Sequence, residues 1–130
     1  MRDLPESGES AALAYREPQD LPVVRAFVRT HAQAHGLAPE RADLLVLAVS
    51  ELATNTLQHS SGAGQVAVRA LDGRLVCEVS DQGAPRQFGR EMPAPGAVRG
   101  RGLAIVERVC DEVSSSTTAH GTVVRLSLDL

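Results

Sequence analysis

Glu51 and Asn55 stand one helical turn apart in a stretch that is otherwise almost wholly apolar, ADLLVLAVSELATN. A spacing of four puts both on one helix face, with about 5–6 Å between Cβ atoms. His59 continues the row one turn later. A carboxylate and an amide in such surroundings must find partners or suffer a desolvation cost of several kcal/mol. Two readings follow from the pair alone: a satisfied polar pair near a helix end, or a site. Three further motifs raise the same choice. Asp81-x-Gly83 closes an alternating stretch, where an acid beside a glycine can accept hydrogen bonds from a ligand that approaches the backbone, or simply form an Asx turn. Gly100-Arg101-Gly102-Leu103 opens a periodic stretch, so bare backbone N–H groups at a helix start could cradle an anion. Arg99 and Arg101 could add charge-assisted hydrogen bonds to phosphate oxygens, or be solvated surface arginines. Gly121-Thr122 reads as a turn glycine and a strand threonine.

These residues need elements to hold them. Residues 1–9 are rich in Pro, Glu, Ser and Gly and read as a loose tail ahead of a single domain over 10–130. Residues 10–16 read as an edge strand. Asp20 with Pro22 marks a helix start, and Leu21, Val24, Phe27, Val28 and His31 line one face of a helix that Gly36 ends. A second helix runs from about Pro39 to Gln58. It is apolar nearly all round, which predicts burial on more than one side. Residues 65–71 and 74–80 alternate about Asp72-Gly73, a two-residue hairpin signal. Residues 81–99 hold three Gly, three Pro and no periodicity, the character of a functional or mobile loop. A helix is expected over 102–112, with Leu103, Val106, Val109 and Cys110 inward. A strand pair over 113–118 and 122–129 follows, about His120-Gly121. Helices, hairpin, helix and hairpin in that order predict an α/β (α+β) two-layer sandwich. Its mostly antiparallel, mixed sheet would be covered by about three helices.

Composition narrows the function. With 130 residues, 43% hydrophobic and 22% charged, the chain can bury one core. A net charge of -3 argues against a protein that coats nucleic acid. All 13 basic residues are arginine, which excludes a Walker A loop and Schiff-base lysine chemistry. With 2% aromatics and no Trp, base-stacking platforms are poor candidates. Cys77 and Cys110 form no CxxC motif and read as buried free thiols of a reducing compartment. The N-terminus is polar and no apolar run is long enough to span a bilayer, so a cytoplasmic protein is expected.

Taken together and in order, the motifs resemble those of the GHKL (Bergerat-fold) ATPases, over about residues 20–129. ELATN from Glu51 to Asn55 looks like the N box, DQG from Asp81 like the G1 box and GRGL from Gly100 like the G2 box. Gly121-Thr122 matches the last shared pair. SELATNTLQHS with a terse lid and GLAIVERVCDEV is most similar to the anti-sigma factor serine/threonine kinases, small ATPases of bacterial transcription control. The resemblance implies ATP and Mg²⁺ as ligands. Asn55 would coordinate the metal through its side-chain oxygen, as suits a hard ion. Glu51 would be the general base toward a serine hydroxyl. Asp81 would accept from the exocyclic amine of adenine, with Gly83 letting the ring approach and Thr122 backing up Asp81. Gly100, Gly102 and the Leu103 amide would hold phosphates, with Arg99 or Arg101 supplying positive charge. His59 matches a histidine of the same helix, with its role open.

The chain departs from the pattern where Ala84-Pro85 follows Gly83, replacing a second glycine, and where the short lid carries Pro93 and Pro95. The expected activity is that of an anti-sigma factor kinase that binds a sigma factor and phosphorylates an anti-anti-sigma antagonist. The expected assembly is a homodimer, with neither direct nucleic-acid binding nor a membrane partner. The alternative is a nucleotide-dependent binding module of the same fold without phosphoryl transfer. The ATP domain of a histidine kinase is disfavoured because there is no room for a long dimerisation helix pair, and a serine hydrolase because no GxSxG elbow exists.

Overall fold

Local sequence signals set most of the element boundaries. The structure, a computed structural model, describes residues 10–59, 63–81, 110–118 and 121–130. Strand β1 (Ser10–Tyr15) leads through a 3-10 turn (Pro18–Asp20) into helix α1 (Leu21–Ala34). Asp20 directly precedes the helix as expected, but its carboxylate points backward. It accepts from the Arg16 and Glu17 amides at 2.9 and 3.1 Å and so closes the turn rather than capping α1. Helix α2 (Pro39–His59) follows, then β2 (Gly64–Leu71) and β3 (Arg74–Asp81). Asp72 and Gly73, at φ 55° and 78°, form the hairpin between these strands; two consecutive positive φ values match the right-handed twist of the strands. Strands β4 (Glu112–Thr118) and β5 (Gly121–Asp129) close the chain.

The five strands form one sheet in the order β1-β2-β3-β5-β4, and all four pairings are antiparallel. Alternation puts Leu13, Tyr15, Val66, Val68, Leu75, Cys77, Val79, Leu126 and Leu128 in one core with the helices. From α1 come Val24, Val28 and Ala32, and from α2 come Ala42, Leu45, Val49 and Ala53. His31, expected on the inward stripe of α1, is half-buried and stacks obliquely on Phe27 at 4.6 Å between centroids.

Two expectations are corrected. The helix expected over 102–112 cannot reach its stated end, because Glu112 already lies in β4, paired with Ser127. The Asp111 amide donates to the Ser127 carbonyl at 2.8 Å, and the Asp111 carboxylate accepts from the Asp129 amide at 2.7 Å. These bonds draw the chain into the sheet. The rest of that helix, 102–109, lies outside the described residues, as does the loop from 82. Helix α2 is buried on more than one side, as expected, by α1 and by the sheet, and leaves a third side open. Leu44 and Leu47 are 48% and 45% exposed, on the face that neither α1 nor the sheet covers. Strand β1 stops at Tyr15, one residue short of the expected span.

The direction of α2 decides where the candidate residues meet. Arg41, in its first turn, donates to the Asp129 carbonyl at 3.0 Å and to Asp111 at 3.4 Å. Asp129 in turn pairs with Arg74 at the start of β3. Helix α2 therefore begins where β3 begins and runs with it, and both end at the same end of the sandwich. Among the described residues no helix is long and apolar enough to cross a membrane.

Candidate functional site

The C-terminal turns of α2 carry Glu51 and Asn55, both half-buried. Leu44, Leu47, Glu51 and Asn55 follow at spacings of three and four, so one helix face passes from apolar to polar toward the site end. Neighbouring hydroxyls are tied to the helix itself. Thr54 donates to the Ser50 carbonyl at 2.7 Å and Thr56 to the Leu52 carbonyl at 3.1 Å. Arg25 of α1 reaches Ser50 at 3.4 Å and fixes the inner side of this segment.

Asp81 is the last residue of β3, half-buried and opposite Gly64 of β2. On its other side, Ser80 pairs with Val123, so one further step of the same register sets Thr122 across from Asp81. Gly121, at φ 133°, brings the start of β5 against the Asp81 backbone. A side chain there would collide with the Asp81 carbonyl and lie 3.1 Å from its carbon. Asp81 is thus framed by two glycines, one on each adjacent strand.

Tyr15 was not singled out from the sequence. It ends β1 opposite Gly64, is 1% exposed, and lays its ring across that glycine. Burial pushes its hydroxyl up to about 12, and the nearby Asp81 charge adds to the rise. The Thr56 side chain beside it counteracts the rise. That hydroxyl nevertheless makes no well-formed hydrogen bond. One side chain therefore senses both the end of α2 next to Asn55 and the end of β3. No sequence pattern could have found it, because the contact depends on strand register.

The structure brings Asp81, Gly121 and Thr122 together on adjacent strand ends, and Glu51 and Asn55 together on α2 at the same end. Gly83, Arg99, Gly100, Arg101, Gly102 and Leu103 lie outside the described residues, and so does the side chain of His59. Among the described residues no three His, Cys, Asp or Glu side chains gather as a metal cage. A half-buried carboxylate thus lies between two backbones that admit no side chain, with an amide oxygen of the kind that suits a hard, largely hydrated cation at the same end.

The profile of the histidine kinase-like ATPase domain matches residues 15–128. The chain belongs to that family, the one its motifs resemble. Among solved structures, the SiaB-SiaC complex from Pseudomonas aeruginosa aligns with a TM-score of 0.68 and 16% identity, over 91% of this chain and 88% of that chain. The RsbU and RsbW domains of Rv1364c from Mycobacterium tuberculosis align with a TM-score of 0.70 and 21% identity, over 94% of this chain and 32% of that one. At these identities the likeness establishes the fold. Among curated proteins no sequence matches significantly.

Proposed function

We propose that this chain is an ATP-dependent serine/threonine protein kinase of the anti-sigma type, acting in the cytoplasm. It would bind a sigma factor and phosphorylate an anti-anti-sigma antagonist. The observation that carries the reading is the meeting of two groups at one end of a histidine kinase-like ATPase domain: the Glu51–Asn55 face of α2 and the framed Asp81 of β3. Similarity in fold to SiaB, solved with SiaC, and to an RsbW domain, solved in one chain with RsbU, supports a role built on protein partners. The outer edge of β1, unpaired among the described residues, is where a second copy would pair to form the homodimer.

In this reading Asp81 accepts from the adenine amine and Thr122 supports it. Gly83 admits the ring. Gly100, Gly102 and the Leu103 amide hold phosphates, with Arg99 and Arg101 as cations. Asn55 offers its side-chain oxygen to Mg²⁺, whose charge offsets that of the phosphates. Glu51 takes the proton of the substrate hydroxyl as that oxygen bonds to the terminal phosphorus and ADP leaves.

Paired substitutions test this. Asn55→Ala should weaken Mg·ATP binding. Glu51→Ala should leave nucleotide affinity nearly intact and reduce radiolabel transfer to an antagonist protein by about 10²–10⁴-fold, the usual worth of a general base. Transfer at the wild-type rate by Glu51→Ala would remove Glu51 as the base. Tight ATP binding by the unaltered protein without transfer to any antagonist would favour a nucleotide-dependent binding module, the reading toward which Ala84-Pro85 leans.

A further inference from the structure

Among the described residues, two fully buried side-chain polar atoms lack a hydrogen-bond partner: Arg69 Nε and the Tyr15 hydroxyl. Arg69 still reaches Glu78 through its guanidinium at 4.0 Å. The Tyr15 phenol has the Thr56 side chain beside it, but in a geometry that makes no full hydrogen bond. An unmatched buried donor is unfavourable, and a phenylalanine would pack the same ring without that penalty. The hydroxyl therefore calls for a use.

Its placement indicates one. Tyr15 pairs with Gly64, and Gly64 pairs with Asp81, so three consecutive strand ends stand in one row. A Cβ at residue 64 would collide with the phenol and would lie 2.8 Å from the Ser80 carbonyl. Gly64 is thus the gap through which the ring crosses β2 to bring its oxygen toward the end of β3. There the Asp81 charge acts on it, with Thr56 of α2 alongside. Because burial holds the phenol protonated to about 12, it remains a donor at any physiological pH.

We propose that Tyr15 is a positioning residue for base recognition: when the purine binds, its O–H, unmatched without ligand, donates to one oxygen of the Asp81 carboxylate while the other oxygen accepts from the exocyclic amine. This rests on the reading of Asp81 as the acceptor for that amine. A carboxylate can accept through both oxygens, and a phenol donor to a carboxylate is charge-assisted. Fixing one oxygen orients the other. Discrimination between amino and non-amino purines then depends on a residue that never touches the base.

Tyr15→Phe in the full chain tests the proposal, with ATP and the 6-deamino analogue purine riboside triphosphate as calorimetric probes. The unaltered protein should bind ATP more tightly than the analogue. Tyr15→Phe should weaken ATP about tenfold, as expected for a lost charge-assisted bond, and leave the analogue's affinity unchanged. The melting temperature without nucleotide should hold or rise, because an unmatched donor is removed. An equal loss for both probes, or a lower melting temperature, would indicate a purely structural tyrosine and overturn the proposal. Discrimination retained in full by Tyr15→Phe would overturn it while leaving the Asp81 reading intact. Equal binding of both probes by the unaltered protein would overturn the Asp81 reading and the Tyr15 proposal with it.

Discussion

The backbone carbonyl of Asp81 occupies the space where a side chain on residue 121 would begin. Gly121 is thus doubly constrained, by this contact and by its φ of 133°. Two strands meet here without intervening side chains, and Thr122 is set down beside Asp81 as a result. The base-reading end of the proposed site depends on backbone contact as much as on the acid itself.

Gly121→Ala should therefore destabilise the fold by about 2 kcal/mol or more, since both the steric clash and the strained φ act against it. Chemical denaturation would measure this directly. A change within about 0.5 kcal/mol, the range of an ordinary surface substitution, would mean that β5 shifts freely and that the contact with Asp81 is not a constraint.

The Asp111 carboxyl is held below its ordinary range, first by the Asp129 amide and then by Arg41. A group depressed in the folded state contributes stability that is present in full above its unfolded value, about 3.9, and lost as pH falls through the lower folded value. Asp111→Asn should accordingly melt below the unaltered protein at pH 6–7, with the gap closing toward pH 2. A gap independent of pH would assign the effect to packing rather than to charge.

Both thiols should be unreactive in the native protein. Burial pushes Cys110 up to about 12 and raises Cys77 well above its ordinary range. At pH 8 the thiolate fraction of Cys110 is then about one in ten thousand, and the thiolate is the reactive form. Iodoacetamide at pH 8 should label neither cysteine until denaturant is added. Prompt labelling of the folded chain would contradict this.

What could be read from the sequence was whatever is encoded locally. Asp72-Gly73 marks its hairpin because two residues suffice to set two positive φ values, and Gly36 closes α1 just beyond Ala34 in the same local way. Glu51 and Asn55 stood out because their neighbours are apolar. Long-range register was not legible. Nothing near Tyr15 in sequence says that it faces Gly64, or that Gly64 faces Asp81. The start of β4 was missed for a similar reason. The periodicity through Val109 and Cys110 runs on toward a helix, while the bonds of Asp111 to Ser127 and Asp129 draw the chain into a strand. Leu44 and Leu47 have the composition of a core, yet the faces of α2 occupied by α1 and by the sheet leave them on the third.

Calorimetric titration of the full chain with ATP and with GTP, each with and without Mg²⁺, tests the central claim most directly. Asp81 should favour a base that presents an amine and disfavour one that presents a carbonyl at that edge, because an unpaired buried group there can lose several kcal/mol. The account predicts Mg²⁺-dependent ATP binding, much weaker GTP binding, and a loss of about tenfold or more in ATP affinity for Asp81→Asn. No binding at millimolar nucleotide, or equal affinity for ATP and GTP, would contradict it.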